Sequence, residues 1–513
     1  MSTLRNLLNS SIAIYIEYIL GFIISIIIAR SLGPSNYGVY AFYIWISSLL
    51  IMLSKNGIST GVIKFLAEAN TSSDPKEVDN IYSHFRSMEN RVLLIILFVF
   101  IIISLFFWSN IFDTLEFYLI IPLVLAVHSK SLYMFLVSTS KGLSRFDLLS
   151  KAVIIVGPIN LAIVAILYYI NASLNDFLFA YTVISVLYYL VLRYFILKTL
   201  SFVNDPEISP ETTLRIKKHV ILVSFNMILG FIIFKQSEIA FLNYFGSKED
   251  IAFYNIGFLL SSGIMELIPG AYVMILLPMV AGIYASDKDN LPSTVKNSIR
   301  YLFMLTAPAV VFGIYFSSEI IYLVYGDDYS SAVKPFIFSL ISAGIIVLAQ
   351  SSISYLVSSD RQRDLLKLLI ITACINLILD YYLIKNYMLN GAIAANLIAN
   401  CFYSIIVLSL TIRKLKAKLN YGALIRLLCI ALICIIPSAI FSNLGMPDNI
   451  NLGISFIIFT SLYFVLTTLM YCWSNEELDK IKSLLERKLS HSNLILKMIK
   501  FSINNKRTIN TEN

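Results

Sequence analysis

Six ionisable side chains stand deep inside long apolar runs, away from the basic residues near the run ends: Glu17, Lys55, Lys130, Lys235, Glu238 and Glu266. A charge in hydrocarbon costs at least ~2.5–3.5 kcal/mol on insertion scales, so each must face protein or a wet cavity. Lys55, Lys130 and Lys235 are candidate substrate-binding cations for an anionic head group. Glu17, Glu238 and Glu266 are candidate proton or cation sites, because a carboxyl near mid-depth suits a reversible carrier. Bland readings stand beside these. Lys235 and Glu238 are i,i+3 and can form a structural ion pair. Glu17 and Glu266 can equally be paired with one of the lysines. Lys130, three residues before Tyr133, can snorkel towards the cytoplasm. Two polar breaks flank the charges, Asn56-Gly57 after Lys55 and Pro269-Gly270 after Glu266, and both read as helix breaks. Asp380 lies nearer the outer end of its apolar run.

Other chemistry is missing from the sequence. There is no Walker A loop, no GxGxxG opening a helix and no HExxH. No pair of histidines has metal spacing, and the five cysteines have no CxxC and sit in or beside apolar runs. No metal, no cofactor and no enzymatic activity are expected.

The elements that position these residues must be membrane helices. Of 513 residues, 58% are hydrophobic and 14% charged, and mean hydropathy is +0.79. A soluble domain runs about 45–50% apolar and about 25% charged. That excludes an ordinary soluble enzyme, a disulfide scaffold and a disordered chain. Apolar runs fall at roughly 10–29, 38–66, 92–112, 117–140, 152–170, 175–197, 220–245, 251–281, 299–323, 332–357, 366–385, 391–412, 422–441 and 450–473. The first is too long for a signal-peptide core and reads as a retained span. The expectation is an all-α multi-spanning membrane protein with about 14 transmembrane helices.

The basic residues support this register. With the N-terminus inside, the cytoplasmic connections and both termini hold 32 of the 39 Lys and Arg. The opposite loops hold Arg30, Lys248, Lys334 and Lys385, and the three lysines named above lie within spans. This bias places both termini in the cytoplasm. The net charge of +8 is therefore a topology signal, and no nucleic-acid partner is expected. Beyond Trp473 the chain is basic, with Leu478, Ile481, Leu484, Leu485 and Leu489 on one helical face. It reads as a helix on the anionic cytoplasmic leaflet or as a solvated tail helix.

The sequence also repeats at about 215 residues. Leu136-Val137-Ser138, Arg145-Phe-Asp147-Leu-Leu and Asn160-Leu161 recur as Leu356-Val357-Ser358, Arg363-Asp364-Leu-Leu and Asn376-Leu377. Six spans separate the copies, so both halves enter the membrane the same way round. The expected organisation is a lobe over 1–200 (spans 1–6) and a second over 214–413 (spans 7–12), related by a parallel pseudo-two-fold. Two appended spans follow at 421–473, then a basic tail over 474–513.

Four segments carry a resemblance. Ile28-Ala-Arg30-Ser-Leu-Gly33-Pro34-Ser-Asn-Tyr37-Gly38-Val-Tyr40 resembles the signature after the first span of the polysaccharide transporter family. That family includes O-antigen flippases of the Wzx type, within the MATE-like MOP flippase superfamily. Lys55 to Gly61, Glu319 to Ala332 (with Gly326 and Tyr329) and Gly391-Ala392-Ile-Ala-Ala395 resemble further family segments. The resemblance implies a V-shaped, two-lobed helical transporter in the bacterial inner membrane. It implies alternating-access flipping of undecaprenyl-diphosphate-linked oligosaccharide from the cytoplasmic to the outer leaflet, for O-antigen, capsule or exopolysaccharide. It also implies antiport against H⁺ or Na⁺, cationic cavity residues for the diphosphate, and partners among membrane lipids and polymerase or chain-length proteins. The chain departs from lipid II flippases in having no intramembrane arginine, which disfavours that cargo. Two other readings are a cation-coupled multidrug exporter of the same fold and a membrane polymerase or glycosyltransferase. Three lysines at depth oppose the first; the lack of a large outer loop opposes the second.

Overall fold

The computed structural model describes residues 2–473, with gaps at 72–74, 114, 205, 235, 417–418, 443–447 and 471. Side chains are described from Tyr18 onward, except at 56, 75, 441–442 and 448–449. The amphipathic tail helix expected beyond Trp473 lies outside the described residues.

Every regular element among the described residues is a helix. In chain order they are α1 (Ser2–Thr71), α2 (Pro75–Ile111), α3 (Ile120–Gly142), α4 (Phe146–Tyr169), α5 (Leu174–Ile196), α6 (Pro210–Phe234), α7 (Glu238–Phe245) and α8 (Lys248–Leu267). There follow α9 (Gly270–Ser286), α10 (Leu291–Tyr315), α11 (Ser317–Tyr325), α12 (Val333–Ser358), α13 (Gln362–Leu379), α14 (Lys385–Leu415), α15 (Tyr421–Ser442) and α16 (Asp448–Leu469). Eleven described helical runs are long and apolar enough to cross a membrane, or twelve with the bent α8–α9 pair as one span. Apolar side chains also cover the outside. Leu94, Ile95 and Phe98 on α2 are exposed, and Phe106 is 75% exposed. In water such a surface would be unstable; in lipid it is solvated.

Two of the eleven runs fold back on themselves. Gly21 and Ser48 of α1 line one cavity, yet 27 residues of straight helix would hold them about 40 Å apart. The reversal falls at Gly33, whose φ of +67° suits a residue without Cβ, with Pro34 next. In the second run, Met388 leaves helical geometry at φ 48°. A Cβ on Gly391 would overlap the Leu383 carbonyl oxygen, although eight residues of straight helix span about 12 Å. A short π-helical turn over Asp380–Ile384 precedes this second reversal.

By contrast, the break expected at Asn56-Gly57 is absent, since helix runs unbroken from Gly38 through Thr71. Two polar or small residues weaken a helix by only about 1 kcal/mol, and packing against α6 holds this one. Pro269-Gly270 does separate two helices, α8 and α9, which bend by 56°.

The chain divides into two compact units. The first comprises Met1–Gly263, Tyr325–Pro335 and Leu366–Tyr403. Within it the second limb of α1 crosses the start of α8 so closely that a Cβ on Gly38 would overlap the Lys248 carbonyl oxygen. Tyr37 Oη donates to Asn255 Oδ1 at 3.2 Å, and Tyr329 Oη donates to the Ala29 carbonyl at 2.6 Å. The other unit comprises Ile264–Val324, Phe336–Leu365 and the chain from Ser404. Its core joins α10, α15 and α16 through Met304, Phe312, Leu427, Ile430 and Phe459. There Tyr463 Oη donates to the Met304 carbonyl at 3.0 Å.

Candidate functional site

The first unit holds a cavity of about 310 Å³. Both limbs of α1 supply its wall, through Ser25, Tyr37, Tyr40 and Trp45, with Tyr181 from α5 and Asn255 from α8. Phe231 and Gln236 close it from the junction of α6 and α7. Aromatic faces beside hydroxyl and amide groups suit a polar, uncharged ring that can be stacked and hydrogen-bonded.

The junction of α6 and α7 is where this span is broken. Gln236 sits there at φ 59°, and its Oε1 accepts from Asn255 Nδ2 at 3.3 Å. Immediately behind it lies a buried polar cluster. Ser237 Oγ donates to Asp380 Oδ2 at 2.8 Å. Asn376 Nδ2, one turn before Asp380, donates to Ser237 Oγ at 2.9 Å and to Asp380 Oδ2 at 3.1 Å. Asn396 Nδ2 donates to Glu238 Oε1 at 3.0 Å. Both carboxyls are fully buried. Glu238 Oε2, Asp380 Oδ1 and Asn376 Oδ1 are buried and accept no hydrogen bond among the described residues. Three oxygen acceptors in that state fit a proton or a hard cation. Discontinuous membrane helices commonly host such sites. Among the described residues, no three His, Cys, Asp or Glu side chains gather as a metal site.

The residues singled out in the sequence are distributed unevenly. Glu238 lies in this cluster. Lys235, and the side chains of Glu17 and Asn56, lie outside the described set. Lys55 and Lys130 are half-buried and do not line the cavity. The Lys130 ammonium stands over the Tyr133 and Tyr188 rings at 5.2 and 5.0 Å, a cation–π contact that anchors it in place. Glu266 is exposed in the last turn of α8, just before the bend at Pro269-Gly270.

Two groups lie where the sequence pattern does not place them. Asp380 belongs to the cluster rather than to a span end, because the fold brings its helix against the α6–α7 break. Glu89 is fully buried in α2, although its neighbours Arg86 and Arg91 made that stretch read as a loop. Ser131 Oγ donates to Glu89 Oε1 at 2.8 Å, Ser54 and Ser131 share a short hydroxyl contact, and the charges of Arg86 and Lys55 act on it. Arg86 itself packs on the Phe135 and Tyr189 rings and donates to Tyr189 Oη at 3.1 Å. A carboxylate between two cationic neighbours was the available signal.

Residues 27–334 match the model of a family described as polysaccharide biosynthesis protein. The chain belongs to the polysaccharide biosynthesis protein family. The family segments meet in space: Tyr37 and Tyr329 pack edge to face at 6.2 Å, beside the Gly38–Lys248 crossing. No curated protein sequence matches the chain. Among solved structures, the lipid II flippase MurJ in an inward closed conformation superposes with a TM-score of 0.70 at 14% identity, covering 90% of this chain and 98% of that one. An inward-facing multidrug resistance MATE transporter of the MOP superfamily gives 0.64 at 15% identity, covering 79% and 98%. A mutant of the Vibrio cholerae MATE transporter VcmN gives 0.58 at 11%, covering 81% and 96%. The family member thus has the MurJ- and MATE-like helical fold. The solved structures that share this fold are a lipid II flippase and multidrug transporters.

Proposed function

We propose that this family member flips a polyprenyl-diphosphate-linked oligosaccharide, specifically an undecaprenyl-linked repeat unit, from the cytoplasmic to the outer leaflet of a bacterial inner membrane. The cargo serves O-antigen, capsule or exopolysaccharide synthesis. The observation that carries this is the cavity of aromatic, hydroxyl and amide side chains set directly against a broken helix with two buried carboxyls. A sugar has polar edges and weakly polar faces, which suit stacking on Tyr40, Trp45 and Tyr181 with hydrogen bonds to Asn255 and Gln236. Moving such a head group through about 30 Å of hydrocarbon requires a wet groove, and the lipid tail can stay outside it.

Reading each folded-back run as two passes takes the count from twelve to fourteen, with both termini cytoplasmic. The lobes in this proposal are 1–200 and 214–413, with 421–473 appended. They touch at both ends of the second α1 limb. Gly38 meets Lys248 near one end, while Thr60–His219 (3.3 Å) and Glu68–Arg215 (2.9 Å) lie towards the other. Alternating access requires one set to part while the other holds. Glu238 and Asp380, together with Asn376, are the coupling site for H⁺ or Na⁺, since buried carboxyl oxygens without a hydrogen-bond donor are stabilised by taking up a proton or a cation. Lys55 and Lys235 meet the diphosphate. Polymerase and chain-length proteins would take up the product.

The test is a clean deletion with leaflet-resolved extraction of polyprenyl-linked glycans. Complete repeat units should accumulate facing the cytoplasm, and only the wild-type copy should release them. Normal delivery to the outer leaflet without polymerisation would overturn the reading in favour of a later step. Unchanged glycans with new sensitivity to cationic drugs would favour an exporter.

A further inference from the structure

A second cavity, of about 300 Å³, lies in the other unit between the start of α10, the start of α15 and the chain just after α16. Three cations line it: Lys296 and Arg300 from α10, and Arg426 from α15. Lys296 and Arg300 are i,i+4 and therefore share one helix face. The first turn of α15 opens into the same space through Gly422, and Asn420 caps that turn, its Oδ1 accepting from Ala423 N at 3.1 Å. The arginines are fixed by backbone carbonyls, Arg300 Nη1 donating to Cys472 O at 3.0 Å and Arg426 Nη1 to Met470 O at 3.1 Å. Ile299, Leu424 and Leu427 supply apolar wall beside the charges.

We propose that this cavity is a binding site for the phosphate head group of an anionic membrane phospholipid. Positively charged ends of membrane helices are common as topology signals, but scattered topology charges need not converge. Here three cations from two helices meet at one concavity, and a helix N-terminus adds aligned backbone N–H groups and a partial positive charge. The apolar wall selects the source. A free anion gains nothing from leucine, whereas a phospholipid places acyl carbons directly beneath its phosphate. Basic pockets between helices on the cytoplasmic side hold such head groups, and the distribution of basic residues puts these ends there. The site joins the two final spans to α10, so a bound lipid ties them together. It does not depend on which cargo the transporter carries.

The test uses purified full-length protein in mild detergent, titrated with phosphatidylglycerol or phosphatidylcholine of the same chains and followed by native mass spectrometry. Phosphatidylglycerol should bind on the order of 10- to 100-fold more tightly, since each cation near the surface contributes about fivefold. Gly422→Glu should abolish the preference, and Gly422→Gln should keep most of it. A Cβ at Gly422 meets only Asn420 Oδ1, at 3.5 Å, and a carboxylate suits a helix N-terminus, so this variant should melt like wild type without lipid. Lys296→Gln, in case it does not, should lower the preference about fivefold. Equal binding of the two lipids, or an undiminished preference in both Gly422→Glu and Lys296→Gln, would overturn the proposal. Displacement of phosphatidylglycerol by equimolar inorganic phosphate would also overturn it, and would assign the cavity to a free anion.

Discussion

At the residue scale, the family-like segments prove to be contact devices. Gly33 permits the reversal of α1, and Gly38 lets its second limb reach the Lys248 carbonyl. Tyr329 fastens the loop after α11 to the Ala29 carbonyl. Tyr329→Phe removes that buried hydrogen bond and should cost about 0.5–1.5 kcal/mol, read as lower thermal stability of the detergent-solubilised protein. The carboxyl cluster behaves differently, because its members are arranged around unpaired oxygens rather than saturated by one another. Glu238→Gln or Asp380→Asn should each reduce the dependence of flipping on pH or Na⁺ by at least about tenfold, as one lost charge-assisted contact implies. The double variant should be little worse than either single one, since residues serving one ion are not additive. Ion-gradient-dependent transport in vesicles measures this, and an additive double variant would separate the two carboxyls into independent roles.

At the element scale, broken and folded-back helices do the positioning. The interruption between α6 and α7 aims Gln236 at the cavity and presents Ser237 and Glu238 behind it. The π-helical turn after α13 begins at Asp380 and brings that carboxyl to Ser237. Meanwhile the α1 limb stays helical through Gly57, and there it meets α6 backbone to backbone. A Cβ at Gly57 would overlap the Val220 carbonyl oxygen, and Gly57 N donates to Ser224 Oγ at 3.1 Å. Gly57→Val should therefore prevent this close approach without breaking either helix. The expected outcome is a protein that inserts and purifies normally but fails to restore surface polysaccharide in a deletion strain. Full complementation would show that the α1–α6 contact is dispensable to the cycle.

At the scale of the whole molecule, the final two spans are less separable than an appended pair suggests. Phe312 of α10 packs its ring 5.3 Å from Phe456 and from Phe459 of α16. Leu427 and Ile430 of α15 complete the same buried cluster. Truncation before Tyr421 exposes this surface and should sharply lower the yield of monodisperse protein, as measured by size-exclusion chromatography. A well-behaved truncated protein would show that α10 finds other cover.

Hydropathy and charge alone determined that this is an all-helical membrane chain, since unbroken apolar runs of about 20 residues satisfy their backbone hydrogen bonds in lipid as helices, whereas a β-barrel needs short strands of alternating polarity. They also located the apolar runs and the ionisable side chains, Glu238 among them, that stand inside those runs. Tertiary structure alone decided that Asp380 and Asn376 meet Ser237 while Asn396 meets the adjoining Glu238, that Glu89 is buried among cations, and that Lys55 and Lys130 lie away from the aromatic cavity. Partners more than a hundred residues apart leave no periodic trace in sequence, and depth along a helix does not say which way a side chain faces. Only packing fixes that rotation, which is why the elements were readable one by one while the site they build was not.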